Sequence, residues 1–396
     1  MRIALVSQEF PPETTRGGIG AQTVLKARGL AALGHEVVVV SHSVDMLRHE
    51  SRDGGVRVVR IPGGDAAMPV ATEPVRWLTY SAAVAAAIAR LHRETPLDLV
   101  DVPEYGGEGY LHLLNRADWN RIPTVAQLHG PLAMMAETIG WPEKDSDLYR
   151  VGREMEGSTL RMADAVYSSS RCSARWAADA YGLDVARIPV LHAGVDISLF
   201  HPLDTAKADR PTIVFVGRVA ESKGAGDLVE AACRIAPRHP GLHLRLIGRC
   251  DAAYARALAL RAEAAGCPAL LELPGPLLRE ALPVALSRAH LFAAPSRYEG
   301  GPGFVYLEAM ACGLPAIACA GSGAAEAVRD GDNGRLVPPG DAAALAEVLD
   351  DLLSDPAARG EMGRRARAGV ERDADCRVCV PRIAAFYADV LGRRPA

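Results

Sequence analysis

Two carboxylates flank a glycine-rich loop in the second half of the chain, in the stretch RYEGGPGFVYLEAMACGLP (297–315). Glu299 comes just before the Gly-Gly-Pro-Gly loop, and Glu308 lies in the first turns of the helix predicted to follow it. A glycine loop that opens into a helix presents free backbone N–H groups and the positive end of the helix dipole, which attract phosphate. Ionised carboxylates repel phosphate but accept hydrogen bonds from sugar hydroxyls. The segment therefore predicts a nucleotide-sugar site, with Gly303 and Phe304 as donor contacts where the loop meets the helix.

A second glycine loop, VGRVAESKG (216–224), follows a predicted strand and precedes a predicted helix. It carries Gly217 near its start and two cations, Arg218 and Lys223. A diphosphate leaving group gains negative charge as its bond to the sugar breaks, so fixed cations would stabilise it. Arginine can bind phosphate bidentately, whereas lysine acts as a point charge. The alternative is a solvated loop with two ordinary surface cations.

The first half has its own glycine loop, Gly17-Gly18-Ile19-Gly20, after the first predicted strand. The G-x-G-x-x-G spacing of dinucleotide-binding folds is absent, and Glu36 follows too early, at the start of a strand. We therefore favour a loop whose backbone approaches a phosphate, with Gly18 as the contact, over a dinucleotide site.

Polar side chains also follow two predicted strands of the first half. His129 follows the strand 124–128, and Glu104 and Tyr105 follow the strand 97–102. We predict that His129 binds a hydroxyl of the donor sugar and that Glu104 and Tyr105 contact the acceptor. The alternatives are a half-buried structural histidine and a loop carboxylate in water.

Composition excludes several classes of protein. The 396 residues are 49% hydrophobic and carry a net charge of −4, and neither half is basic, which argues against nucleic-acid binding and does not indicate contact with a membrane surface. No apolar run has the ~20 residues of a membrane helix. The first apolar run ends at Pro11-Pro12, too soon for a signal peptide, so we expect a cytoplasmic protein.

The metal-binding patterns of the sequence are weak. The eight cysteines are scattered, and their one C-x-x-C pair, Cys376 and Cys379, has no second pair beside it. Two D-x-D triplets, 145–147 and 373–375, resemble the metal sites of sugar transferases, but neither follows a buried strand. We expect no metal, no other cofactor and a reduced environment.

Both halves repeat strand, glycine turn and helix, which predicts an α/β fold with parallel sheets and two facing Rossmann-like domains. The expected domains are an N-terminal acceptor-binding domain (1–205), a nucleotide-sugar-binding domain (206–376) and a C-terminal helix (377–396) that packs back on the first domain. Ligands of such sheets bind at the carboxyl ends of the strands. The predicted strands are 2–7, 36–41, 56–61, 97–102, 124–128, 165–168, 212–216, 242–247, 270–273, 291–294, 316–318 and 334–337.

Taken together, these segments resemble glycosyltransferase family 4, whose members are retaining enzymes of the GT-B architecture. The resemblance spans nearly the whole chain. Besides the glycine loops, it rests on residues 34–37, 161–164, 194–196, 200, 202, 295–296, 308–315 and 330–334.

The resemblance implies a metal-independent reaction without a covalent intermediate, in which the acceptor attacks from the face that the leaving group departs. The leaving phosphate oxygen would help to take the acceptor proton. The implied roles are diphosphate binding by Arg218 and Lys223, ribose binding by Glu308, sugar contacts by Glu299 and His129, and a phosphate contact by the Gly18 N–H.

One departure from the family pattern concerns its paired glutamates, which are separated by seven residues. Here GGPGFVYL, one residue longer, separates Glu299 from Glu308. Glu308 keeps its helix, so the extra residue either displaces Glu299 or forms a bulge at Gly301-Pro302. A nucleotide-sugar-binding protein with weakened catalysis is therefore an alternative.

We expect a retaining hexosyltransferase that uses a UDP-sugar first and a GDP-sugar next, on family frequency alone. Its acceptor is expected to be a soluble small molecule or a glycan, because the first half is acidic and lacks a basic amphipathic stretch. A lipid-linked acceptor, a sugar phosphorylase and a nucleotide-sugar epimerase remain as alternatives.

Overall fold

The computed structural model describes residues 1–14, 17–63 and 70–393. The chain folds into two compact units, one formed by Met1–Gly194 with Cys376–Ala396 and the other by Val195–Asp375. The last three residues of the predicted C-terminal segment lie outside the described residues. Each unit is built on a mainly parallel sheet flanked by helices, so the predicted α/β class is confirmed.

The first unit contains a sheet that has seven strands within the described residues, in the order β3-β4-β2-β1-β5-β6-β7. All of its pairings are parallel except that of β3 with β4. The strands are β1 (Arg2–Val6), β2 (Glu36–His42), β3 (His49–Asp53), β4 (Val56–Ile61), β5 (Leu99–Pro103), β6 (Thr124–Leu128) and β7 (Ala165–Ser168).

The strand β3 is absent from the predicted strands because its sequence, HESRD, is polar and largely exposed. It pairs with β4 alone at the edge of the sheet, where both faces need not be buried. The other strands are near-continuous buried runs, which is why their positions could be predicted.

In the described part of the chain, six α-helices of the first unit precede the second unit. The helix over 171–181 is preceded by Ser170, whose Oγ accepts a hydrogen bond from the Ser173 N–H at 3.0 Å and so caps the helix N-terminus. The helices are α1 (Gly18–Ala32), α2 (Glu73–Glu94), α3 (Tyr110–Leu114), α4 (Leu132–Ile139), α5 (Asp147–Met162) and α6 (Arg171–Tyr181).

The second unit contains a parallel sheet of six strands among the described residues, in the order β10-β9-β8-β11-β12-β13. Its strands are β8 (Thr212–Val216), β9 (His243–Ile247), β10 (Leu271–Gly275), β11 (Leu291–Ala293), β12 (Ala316–Cys319) and β13 (Gly334–Val337). Its helices are α7 (Ala225–Ile235), α8 (Ala252–Ala264), α9 (Leu282–Arg288), α10 (Phe304–Ala311), α11 (Ala342–Ser354) and α12 (Pro356–Asp373).

The strand order reverses once in each sheet, between β1 and β5 in the first unit and between β8 and β11 in the second. At such a switch point the loops leave the carboxyl ends of adjacent strands in opposite directions and open a crevice for a ligand. The segments that follow these four strands include the predicted site residues except His129, which follows β6.

The terminal helix α13 (Cys376–Gly392) belongs to the first unit and packs on α1. A Cβ atom at Gly29 would lie 2.9 Å from the methyl carbons of Val380, so the glycine lets the two helices approach closely. Further along α13, the buried Tyr387 hydroxyl donates a hydrogen bond to Asp101 of β5. Asp101 in turn accepts a bond from Lys26 of α1 at 2.6 Å, so a buried polar network joins β5, α1 and α13.

The first boundary between the units lies at Gly194, earlier than the stretch near residue 205 that we predicted. The segment after Gly194 packs in the second unit, where the Val195 N–H donates to the carbonyl oxygen of Ala374 at 2.8 Å and Phe200 is fully buried. The change of unit therefore precedes the polar linker.

Candidate functional site

The predicted donor residues of the second unit lie in the segments that follow β8 and β11, the adjacent strands of its switch point. Gly217, Arg218 and Lys223 follow β8, whereas Glu299 and Gly303 follow β11. The two segments are joined directly, because the Arg297 N–H donates to the carbonyl oxygen of Ser222 at 3.0 Å. We use the name donor cluster for the predicted donor residues of this unit, which are Gly217, Arg218, Lys223, Glu299, Gly303, Phe304 and Glu308.

Within the donor cluster, Lys223 and Glu299 form an ion pair with 2.7 Å between Nζ and Oε1. The Lys223 ammonium also donates to the carbonyl oxygen of Tyr298 at 3.3 Å. Both side chains are partly exposed, so the pair is accessible to a ligand. The ion pair orients the Lys223 ammonium but leaves it accessible. A negatively charged ligand group could replace Glu299 as the partner of Lys223.

Arg218 is exposed, and among the described residues it forms no hydrogen bond or ion pair. Its neighbour Gly217 has a φ of 145°, which is rare for residues with a side chain. Its carbonyl oxygen would lie 1.8 Å from a Cβ atom at Gly248, so two glycines allow the ends of β8 and β9 to touch. The guanidinium is therefore an unpaired cation on a tightly packed backbone, suited to a phosphate.

Glu308 lies inside α10 and is 3% exposed. Its Oε1 atom lies 2.6 Å from Nη2 of Arg279, in the loop before α9. Burial raises the pKa of Glu308, and Arg279 opposes that shift. Arg279 had no sequence signal, since it is a single cation in a polar stretch. It also places its guanidinium 4.9 Å from the centre of the Phe200 ring.

The loop with the extra residue bends at 300–302 and leads into α10 at Phe304. Gly303 has a φ of 65°, and a Cβ atom there would lie 2.4 Å from the Tyr306 ring, so this position requires glycine. The loop is held by the Gly323 N–H, which donates to the carbonyl oxygen of Glu299 at 2.8 Å. Glu308 lies in α10 and is buried, and the effect of the extra residue on Glu299 stays a prediction.

In the first unit, the glycine loop begins α1 at Gly18, directly after the exposed Gly17. The Glu9 carboxylate lies against this helix start. Its Oε2 atom accepts hydrogen bonds from the N–H groups of Gly17 at 2.9 Å and Gly20 at 3.3 Å. A carboxylate of the protein itself thus lies at the helix N-terminus for which we predicted a donor phosphate. Sequence reasoning missed Glu9.

His129 follows β6, as predicted, and is partly buried. Burial lowers the pKa of its imidazole to about 3, and Lys26 acts in the same direction, so the ring is neutral at physiological pH. A neutral imidazole can both donate and accept a hydrogen bond, which suits contact with a sugar hydroxyl.

Glu104 follows β5 and is fully buried, so the alternative of a loop carboxylate in water is wrong. Its two oxygens accept hydrogen bonds from the His129 N–H at 2.7 and 2.8 Å, and the Gly130 N–H donates to Oε1 at 2.6 Å. The carboxylate holds the loop that carries His129. A direct contact of Glu104 with an acceptor stays a prediction, which this geometry does not favour.

The neighbouring Tyr105 packs its ring edge-on to Trp77 of α2, with 5.6 Å between the ring centres. Burial raises the pKa of its hydroxyl, so the phenol is neutral. Its contact with an acceptor also stays a prediction.

No group of three or more His, Cys, Asp or Glu side chains in the described part of the chain has a geometry that could hold a metal ion. Among the described helices, none combines the length and the apolar character needed to cross a membrane.

Known proteins match both units. Residues 16–199 match the family model described as Glycosyltransferase Family 4, and residues 201–369 match that described as Glycosyl transferases group 1. The chain is 31% identical over 385 residues to the GDP-mannose-dependent alpha-(1-6)-phosphatidylinositol monomannoside mannosyltransferase of Mycolicibacterium smegmatis, with 91% of each chain covered. It is 30% identical to the D-inositol 3-phosphate glycosyltransferase of Acidothermus cellulolyticus, covering 92% of this chain and 84% of that protein.

Among solved structures, the sucrose-phosphate synthase of Thermosynechococcus elongatus superimposes with a TM-score of 0.84 at 23% identity, covering 99% of this chain and all of that chain. At this identity the likeness concerns the fold. Together with the family matches and the donor cluster, it confirms the resemblance found in the sequence: the chain belongs to glycosyltransferase family 4 and has the GT-B fold.

Proposed function

We propose that this glycosyltransferase moves a hexose-like unit from a nucleoside diphosphate sugar to a small-molecule acceptor, with retention of configuration and without a metal ion. The observation that carries the proposal is the donor cluster. Two cations and two carboxylates follow adjacent strands at a switch point of the second unit, where a diphosphate and sugar hydroxyls need groups of these charges.

In the proposed reaction, the bond between the anomeric carbon and the β-phosphate oxygen breaks, and the acceptor oxygen forms the new bond on the same face. Arg218 and Lys223 stabilise the negative charge that grows on the diphosphate. The departing phosphate oxygen takes the proton of the acceptor hydroxyl. These two cations supply charge that a metal ion supplies in other transferases. The geometry of Arg218 and Lys223 supports this assignment, and retention rests on the family resemblance.

The carboxylates and the histidine bind hydroxyl groups in this proposal. Glu308 accepts hydrogen bonds from the ribose, and Glu299 lies near the transferred sugar. His129 contacts a sugar hydroxyl as a neutral imidazole, which agrees with its lowered pKa. In the first unit, Gly18 donates its N–H to a donor phosphate, and Tyr105 contacts the acceptor.

The donor base and the acceptor are separate parts of the proposal. We keep a UDP-sugar as the first donor to test and a GDP-sugar as the second, and the name of the Mycolicibacterium relative supports the second. That relative is named for a phosphatidylinositol-linked acceptor, whereas the Acidothermus relative is named for D-inositol 3-phosphate. A lipid-linked acceptor is therefore the main alternative to a small molecule.

A nucleotide-sugar-binding protein with weakened catalysis is the second candidate, and the extra residue between Glu299 and Glu308 favours it. A pure binder would take up the nucleoside diphosphate but would not hydrolyse the sugar nucleotide. Measuring the slow release of UDP from UDP-glucose and of GDP from GDP-mannose by the purified protein therefore separates the two functions.

The first test of the proposed function is a thermal-shift panel with UDP, GDP, ADP, TDP and NAD at equal concentration. A ligand at about a hundred times its Kd stabilises the folded protein by roughly 2.7 kcal/mol. We expect one nucleoside diphosphate to raise the Tm, and Lys223→Met to abolish that shift. A shift with NAD alone, or with none of the five, would contradict the proposal.

A further inference from the structure

Three glutamates of the first unit are buried around the carboxyl end of β5. Glu104 and Glu156 are 0% exposed and Glu108 is 4% exposed. Among the described residues, none of the three forms an ion pair with a lysine or an arginine. A buried carboxylate without a cation destabilises a fold unless hydrogen bonds compensate it. The N–H groups that these three carboxylates bind therefore indicate what they do.

All three carboxylates accept hydrogen bonds from backbone N–H groups of loops. Glu104 binds the N–H groups of His129 and Gly130, as described above. Glu156, on α5, bridges two loops: Oε1 accepts from the Gly106 N–H at 3.2 Å, and Oε2 accepts from the Leu132 N–H at 2.9 Å. Glu108 differs, since both of its oxygens face a single N–H, that of Gln8, at 3.3 and 3.1 Å.

The loops tied by Glu104 and Glu156 follow the neighbouring parallel strands β5 and β6, so they leave the same edge of the sheet. Close packing of α5 lets Glu156 reach both of them. A Cβ atom at Gly152 would lie 2.5 Å from Cδ2 of Leu132, and one at Gly107 would lie 2.6 Å from Cβ of Met155. The absence of side chains at these glycines places the Glu156 carboxylate between the two loops.

We propose that Glu104 and Glu156 are positioning residues that fix the 129–132 loop against the 105–107 loop and thereby set the place of His129. The inference rests on the proposed function, because it assigns the purpose of the positioning to contact between His129 and the transferred sugar. Neither glutamate touches a substrate in this assignment. Each acts through the hydrogen bonds that its oxygens accept from backbone N–H groups.

Replacement of each glutamate by glutamine separates positioning from packing, because the two side chains have nearly the same shape. A glutamine offers one accepting oxygen and one donating NH2 group. At position 156 each carboxylate oxygen accepts a hydrogen bond from a different loop. Glu156→Gln must therefore lose one of these bonds, because its NH2 group would face a backbone N–H, which is also a donor. At position 108 both oxygens face one N–H, so Glu108→Gln can keep that bond and serves as the matched control.

The test compares Glu156→Gln and Glu108→Gln in the full-length protein by three measurements. The first is the release of UDP from UDP-glucose or of GDP from GDP-mannose, whichever nucleotide raises the Tm. The second is the Kd of that nucleoside diphosphate, and the third is hydrogen exchange of the Gly106 and Leu132 amides. We expect Glu156→Gln to lower kcat at least tenfold and to speed exchange at one or both amides. Its nucleotide Kd should stay within twofold of wild type, and Glu108→Gln should stay within twofold in kcat.

Equal kcat values for the two variants would overturn the proposal, as would a parallel loss of kcat and nucleotide affinity in Glu156→Gln, which would indicate general damage. If Glu156→Gln does not fold, Glu104→Gln replaces it. Its NH2 group at the Oε2 position would face the His129 N–H, so a hydrogen bond to the loop is lost. A kcat of Glu104→Gln within twofold of wild type would overturn the proposal. A wild-type protein without turnover refutes the proposed function separately. In that case unprotected Gly106 and Leu132 amides in the wild type would refute the positioning itself.

Discussion

The Nζ atom of Lys223 lies 2.7 Å from Oε1 of Glu299, so two groups expected to bind different parts of the donor are paired with each other. The pair joins the segments that follow β8 and β11. Its partners are partly exposed, so the pair itself stabilises the fold by ~1 kcal/mol at most. Under the proposed function its main consequence concerns the donor, because a diphosphate that binds the Lys223 ammonium would compete with Glu299 for it.

Glu299→Gln should therefore act in opposite directions on two measurements. Loss of the carboxylate frees the Lys223 ammonium, so we expect the affinity for the nucleoside diphosphate to stay unchanged or to rise a few-fold in calorimetry. Turnover of the sugar nucleotide should fall, because the contact near the sugar is lost. A weaker Kd for the nucleoside diphosphate would show that Glu299 supports diphosphate binding and would contradict this prediction.

Glu308→Ala should weaken nucleotide binding more than Glu299→Ala does. Loss of the ribose hydrogen bonds should cost about 1–3 kcal/mol, which corresponds to roughly a 5- to 150-fold increase in Kd. The partner Arg279 is partly exposed and can be solvated when Glu308 is removed, so unfolding should change little. Calorimetric titration of both variants with UDP and GDP is the measurement. A larger loss for Glu299→Ala would contradict it.

Arg279→Met is the matched variant for this pair. It removes the cation that opposes the effect of burial on the Glu308 carboxyl, so the pKa of Glu308 should rise further above its usual range. A protonated Glu308 accepts hydrogen bonds less well. Nucleotide affinity of Arg279→Met should therefore fall as pH is lowered, more steeply than in wild type. Parallel pH profiles for the two proteins would show that Arg279 does not act through Glu308.

Glu9→Gln should strengthen donor binding. The Glu9 carboxylate accepts hydrogen bonds from the Gly17 and Gly20 N–H groups, and the family resemblance implies that the Gly18 N–H binds a donor phosphate. Two anions at one helix N-terminus repel each other, and a neutral amide removes the repulsion while its oxygen still accepts a hydrogen bond. We expect a Kd for the sugar nucleotide that is lower by a few-fold at low salt, with a smaller difference at high salt. An increased Kd would instead show that the Glu9 carboxylate stabilises the glycine loop at 17–20 in the form that binds the donor.

The sequence predicted the positions of the site residues better than their partners. Strand ends and glycines are local signals, so Arg218, Lys223 and His129 could be assigned to the ends of buried strands. The partner of Lys223 is 76 residues away, and that of Glu308 is a single arginine in a polar loop. Contacts at such separation leave no pattern along the chain.

Glu104 illustrates a second limit of sequence reasoning. A carboxylate in a loop with glycines indicates exposure, yet this one is fully buried because three hydrogen bonds from backbone N–H groups compensate it. Backbone donors are the same for every residue type except proline, so the sequence carries no record of them. The polar strand β3 was missed for a related reason, since its main-chain pairing with β4 holds it in the sheet without a buried face.

The free energy of unfolding should decrease as pH rises from about 7 to about 8. Burial raises the pKa of Glu104 to about 7 and that of Glu108 to about 8, so in this range the folded protein binds more protons than the unfolded chain, whose carboxyls titrate near 4.5. The stabilisation is present below pH 4.5 and is lost as pH rises through these folded values. Each carboxyl contributes a slope of about 1 kcal/mol per pH unit.

Three histidines confine this effect to the stated window. Burial lowers the pKa of His129 to about 3 and those of His112 and His192 to about 4. Their unfolded forms are half protonated at about pH 6.5 and mostly neutral above about pH 7, so the stability gained with rising pH from this source is small above about pH 7. Urea unfolding at about pH 7, 7.5 and 8 should therefore give decreasing free energies in wild type and a shallower decrease in Glu108→Gln. A stability that rises over this range, or an unchanged slope in Glu108→Gln, would show that these carboxyls are ionised in the folded protein at lower pH.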